Sequence, residues 1–102
     1  MPEIEIPAKY IRIIVEAAAD LHEAATVRDR TRHADILAAV AESGCAFTGV
    51  PLPSLLSGPA HELVAERPRP SFLTSTVIQR REWETGLEAD YRSRLEAALA
   101  AV

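Results

Sequence analysis

The sequence predicts an all-α fold: an N-terminal helical hairpin, an irregular Pro/Gly-rich crossover with one short helix, and a long C-terminal helix packing back. Three observations carry this. Apolar residues recur at steps of three and four along both ends of the chain, the spacing that lines one face of a helix. The hydrophobic content is 48% but only 5% is aromatic, so the core must be built from Ala, Leu, Ile and Val. Five of the seven prolines and three of the four glycines gather between residues 44 and 70, where they divide two Ala/Leu/Ile-rich arms.

The first six residues alternate acid and Ile (Glu3, Ile4, Glu5, Ile6), a period-2 pattern that predicts a short extended arm. Pro7 suits the first turn of a helix, where its missing N–H costs nothing. Tyr10, Ile14, Ala18, Leu21 and Ala25 then form one apolar stripe, widened by Ile11 and Val15, and predict a helix over residues 7–25. Polar residues interrupt the stripe from Thr26 to His33, with Thr26 and Thr31 both placed to cap a second helix. That helix is expected over residues 31–43, burying Ile36, Leu37, Val40 and Ala41, with Gly44 as its stop. Since residues 26–31 hold neither Gly nor Pro, one bent helix over 8–43 competes with two; the antiparallel hairpin is the short-connection default.

Residues 44–59 are expected to be irregular and apolar. Pro51–Leu52–Pro53 cannot continue the preceding helix, and a proline cannot donate to a strand ladder. Ser57–Gly58–Pro59–Ala60 resembles a cap and first turn, predicting a short helix over 60–66 that Pro68 and Pro70 terminate. The last helix is expected over 72–101, started by Ser71 or Thr74. Its stripe runs Leu73, Val77, Leu87, Tyr91, Leu95, Ala98 and Val102, flanked by Ile78, Trp83 and Leu99. The stripe loses its apolar character between 79 and 86, and Gly86 costs about 1 kcal/mol of helix propensity relative to Ala, so a kink or break belongs there. No internal repeat is visible, and the whole chain reads as a single small domain.

The formal charge of −4 gives no segment the basic footprint of a nucleic-acid binder. The single cysteine, Cys45, excludes an intramolecular disulfide and fits a reducing compartment. The acidic start lacks the basic region of a secretory signal, and no apolar run reaches the eighteen or so residues of a membrane span. A cytoplasmic location, or one within an assembled particle, is the expectation.

Candidate chemistry is sparse. His22, His33 and His61 have no second His at zinc-helix spacing, so rim histidines are the plainer reading. Cys45 follows an expected helix C-terminus, whose dipole raises a thiol pKa and disfavours a nucleophile. Ser54, Ser57, Ser71, Ser75 and Thr76 lie outside any Gly-x-Ser-x-Gly elbow and suit capping. Gly44, Gly49 and Gly58 form no phosphate loop. Glu82/Glu84 and Glu88/Asp90 are separated by two residues, which on a helix points them apart. No catalytic residue, metal site or cofactor is expected.

Two clusters invite contact rather than chemistry. Val50, Leu52, Leu55 and Leu56 present an apolar surface from the Pro-rich segment, either as a lid on the chain's own helices or as an arm in another chain's groove. Trp83, Leu87 and Tyr91, at steps of four, make a rigid aromatic face of the kind that carries interface energy. These seven residues are the expected protein interface. The function they imply is a non-catalytic structural or adaptor subunit that self-associates or docks through an apolar Pro-rich arm; a multi-subunit particle such as a virion is one setting for it. The alternative is a small dimeric DNA-binding regulator using Arg28, Arg30 and Arg32 with Arg80 and Arg81. Against it, the C-terminal arginines are interleaved with acids at helical-neighbour distances: Arg80 and Arg81 with Glu84, Glu88 with Arg92, Asp90 with Arg94.

Overall fold

Helix is the one regular element among residues 4–71 and 76–102, the residues that the computed structural model describes. The order is α1 (Ala8–Glu23), α2 (Val27–Thr48), α3 (Pro53–Glu66), α4 (Val77–Glu84) and α5 (Leu87–Ala100). Pro7 caps α1, and its carbonyl accepts from the Ile11 N–H at 3.1 Å. The broad face expected of α1 is the centre of the molecule: Tyr10, Ile11, Ile14, Val15, Ala17, Ala18 and Ala19 are all buried. Before it, Ile4–Ile6 form no helix or strand, with Ile6 buried and Glu5 exposed, and Pro7 is extended.

Two helices, not one bent helix, form the N-terminal hairpin. Thr26 decides it: extended at φ −111°, it accepts from the Asp29 N–H at 3.1 Å and so opens a new helix. α2 therefore starts four residues before the expected Thr31, and it ends five residues after the expected Ser43. Gly44 does not stop it. A Cβ at position 44 would lie 2.1 Å from the Tyr10 hydroxyl oxygen and 2.8 Å from Leu56 Cδ1, so glycine is there to let α1 and α3 approach. The stop is Gly49, left-handed at φ 83°, whose N–H donates to the Cys45 carbonyl at 3.0 Å.

The expected irregular segment over 44–59 shrinks to the elbow 49–52. Pro53 occupies the first turn of α3, where it needs no donor, and the helix then runs through Ser57, Gly58 and Pro59 instead of starting at 60. Pro59 is buried inside α3, leaving the Leu55 carbonyl without the helical N–H it would otherwise receive. Packing overrides the local cost, because Leu56, Ala60, Leu63 and Val64 all bury against the hairpin. The end at Glu66 agrees with the terminating role of Pro68 and Pro70.

Beyond residue 76 the expected long helix is two. Thr76 starts α4 through a reciprocal capping box with Gln79, at 3.2 and 2.8 Å. Ser71 stays outside any helix; Thr74, Leu73 and the first residues of the expected 72–101 helix lie outside the described residues. The break anticipated near Gly86 is present, with Gly86 left-handed at φ 78° and Asp90 N–H donating to its carbonyl at 2.9 Å. α1 packs against α2, α3 and α5, while α3 bridges α2 and α5. α4 contributes only Trp83 to the core.

Candidate interaction surface

Burial sorts the seven expected interface residues. Val50, Leu56, Trp83, Leu87 and Tyr91 belong to the chain's own core, Leu55 is half-buried against it, and Leu52 alone is exposed, at 52%. Val50, Leu55 and Leu56 thus pack against the chain's own helices, as a lid would, and Leu52 does not. The aromatics are anchored by their polar ends as well as by area. Tyr91 Oη donates to the Leu56 carbonyl at 2.8 Å, and Trp83 Nε1 donates to the Arg67 carbonyl at 2.8 Å. Burial pushes the Tyr91 phenol well above its ordinary pKa, and the nearby Tyr10 and Cys45 add to the shift, so it stays a donor. Tyr10 behaves alike, pushed up to about 12 by burial and then by Cys45, and donates to the Val40 carbonyl at 3.2 Å.

The arginines divide differently. Arg67 and Arg69, which carried no functional expectation, are the structural ones. Arg67 donates to the Trp83 carbonyl at 2.8 Å, the Thr85 carbonyl at 2.9 Å and Asp90 Oδ2 at 3.4 Å, clamping the α4–α5 break to the end of α3. Arg69 pairs with Asp20 at 2.6 Å and with Glu23, both at the end of α1. Arg94 bridges Asp90 at 2.8 Å and Glu66. Burial works to raise the Asp90 carboxyl, but its bonds from Arg94 and Arg67 outweigh this and hold it below the usual carboxylate range. Of the intrahelical pairs expected, Glu88–Arg92 and Asp90–Arg94 form, whereas Glu84 turns to Arg12 of α1 at 3.2 Å. Arg28, Arg30 and Arg32 are exposed, and none has a carboxylate within 4.0 Å among the described residues. Arg80 is half-buried; Arg81 is exposed and lines a cleft of about 440 Å³ between α1 and the α4–α5 break, with Arg12, Glu84 and Glu88 on its walls.

The histidines occupy the rim. His22 and His61 face each other across α1 and α3 with ring centroids 5.8 Å apart. Burial, then the neighbouring His22, lowers the His61 pKa. No group of three or more potential metal-ligating side chains exists among the described residues. The Cys45 thiol is pushed up, first by burial and then by Glu42, the unreactive direction. Among the described residues no helix is long and apolar enough to cross a membrane.

What the residues do assemble is an outward face on α2. This is the longest helix, 22 residues, yet only Leu37, Ala41 and Gly44 are buried, all from its midpoint onward. Arg28, Arg32, Asp35, Ala39, Glu42 and Ala46 recur at alternating steps of four and three and are all exposed. Beside that row stand Ile36, 41% exposed, and Phe47, 57% exposed, its ring edge-on to Tyr10 at 5.1 Å. Ile36 corrects the expected core: it points outward, and Val40 is only half-buried. Leu52, beyond Gly49, is exposed as well. The sequence signal for Ile36 was available. Apolar residues on α2 cover more than one stripe (Ile36, Leu37, Ala39, Val40, Ala41), and a helix at the molecular surface buries only one. Comparison with protein-family models, with curated proteins and with solved structures gives no match to this chain.

Proposed function

We propose that this chain is a non-catalytic structural or adaptor subunit that works by protein contact. The observation that supports it is the outer face of α2, where Ile36 and Phe47 lie exposed along a helix that spends little of its length on the chain's own core. Large aromatic and aliphatic side chains at an exposed, rigid, helical position are the material of interface anchors. The contact surface is the outer face of α2 together with Leu52, which the 49–52 elbow carries just beyond the end of that helix. The test is a photo-crosslinking amino acid placed at Phe47 or at Leu52 in cells, with exposed Glu62 of α3 as control. Discrete higher-mass adducts from positions 47 and 52, and none from 62, are the expected result. Absence of adducts from both positions removes the proposal.

A second reading, a small DNA-binding regulator, has one favourable observation: Arg28, Arg30 and Arg32 are exposed at a helix N-terminus and lack carboxylate partners among the described residues. Helical geometry turns Arg30 away from the other two, which weakens it. A salt-dependent mobility shift with duplex DNA, lost in Arg28→Ala/Arg32→Ala, would support that reading.

A further inference from the structure

The charges of α2 run against its own dipole. A helix favours acids in its first turn and bases in its last. α2 instead carries Arg28, Arg30 and Arg32 at its N-terminal end, relieved only by Asp29, while Asp35 and Glu42 follow and no base lies beyond His33. Arg28 and Arg32 share one exposed row with Asp35 and Glu42, so a single face is positive at one end and negative at the other. Such a face is complementary to itself turned end for end. We infer that it seats a second copy of this chain, with two α2 helices packed antiparallel about a two-fold axis.

In the register that sets Arg32 opposite the partner's Glu42, symmetry makes the same pair twice. The positive start of each helix then lies against the negative end of the other, which offsets the unfavourable placement within each chain. The side chains fit this crossing. Ala39, between Asp35 and Glu42 on this row, is small enough to let two helix backbones approach to about 8–10 Å. Ile36 stands beside the seam near the level of the axis, and Phe47 flanks one end of it, its ring 57% exposed. The row spacing of four and three is that of a helix–helix seam, and the charge order along it sets the antiparallel orientation. This inference rests on the contact reading above and names its partner.

Sedimentation of the purified chain across a wide concentration range tests it. The native chain is expected to be a dimer that weakens as salt rises. Arg32→Glu and Glu42→Arg should each raise the dimer dissociation constant by about tenfold or more, because each sets like charges opposite one another. The two together should restore the dimer, since the pair is rebuilt with its signs exchanged. Unchanged helical circular dichroism shows that each variant is folded, and the restored double variant makes the result independent of a misfolded single. A native chain that stays monomeric throughout overturns the inference, as does a dimer indifferent to both single changes or a double variant that remains monomeric. A monomer whose Phe47 adducts in cells contain another protein overturns self-association alone and leaves the adaptor reading standing. A dimer without adducts in cells does the reverse.

Discussion

At the scale of single residues, two close approaches hold the helices in place, and both involve a tyrosine. Gly44 lets the Tyr10 ring lie against the α2 backbone, where a methyl group would overlap both the hydroxyl and the ring carbon that bears it. Gly44→Ala is therefore expected to destabilise the fold by about 1–3 kcal/mol, although Ala is the better helix former. Urea unfolding followed by circular dichroism checks the sign, which propensity alone would reverse. Trimming Tyr10 to Phe in the same background relieves only part of the overlap, because the remaining ring carbon and Leu56 still crowd position 44. Tyr91 is the second anchor, fully buried with its hydroxyl on the Leu56 carbonyl. Tyr91→Phe removes that bond with little change in shape, so a loss of about 1–1.5 kcal/mol is expected in the same unfolding experiment.

At the scale of elements, α4 depends on what clamps it. It is eight residues long and too short to be stable alone, and it gives the core only Trp83. Arg67 supplies the rest by donating to the Trp83 and Thr85 carbonyls at the α4 C-terminus, where a cation is favoured. Arg67→Ala should cost about 1.5 kcal/mol or more and should raise amide hydrogen exchange in α4 more than in α1. Equal acceleration in both helices would show that the clamp is global instead of local. This element was poorly legible in the sequence, and the reason is instructive. The break at Gly86 could be anticipated from a lone glycine and a fading apolar stripe. Arg67, set between α3 and Pro68, resembled linker, because nothing in its neighbours tells that a remote helix end needs capping. The crossover erred the other way. Pro51–Leu52–Pro53 suggested irregular chain and Pro59 the start of a helix, yet Pro53 costs nothing in a first turn and Pro59, inside the helix, is outweighed by the burial of Leu56, Ala60 and Leu63. Periodicity located α1, and Pro68 and Pro70 located the end of α3, since both signals are local. Trp83, Leu87 and Tyr91 are buried here because they are equally good anchors for a core, and only packing decides which surface claims them.

At the scale of the whole molecule, the outline is elongated, 45 × 31 × 21 Å, with a long helix left on its surface. A chain of this size has little stability in reserve, so modest titrations at helix contacts are visible in its unfolding. The His22–His61 contact joins α1 to α3 beside the Arg69 ion pairs with Asp20 and Glu23. Burial and the facing His22 hold the folded-state pKa of His61 below that of an unfolded histidine, about 6.5. The unfolded chain therefore takes up this proton more readily than the folded one. The contribution to stability is complete above about pH 6.5 and declines as pH falls below it, levelling off once the folded His61 is also protonated. The carboxylates Glu66 and Asp90, lowered by their arginine partners, lose stability in the same direction but only as pH falls below about 4.5, near the unfolded carboxylate values. The two windows are separate, which makes the histidine effect testable on its own. The midpoint of urea unfolding should fall between pH 7 and pH 5.5 for the native chain and stay flat over that range in His61→Gln, while both lose stability alike below pH 4.5. A native chain equally stable at pH 7 and pH 5.5 would mean that His61 titrates as freely folded as unfolded, and that the histidine pair exerts no hold on the α1–α3 contact.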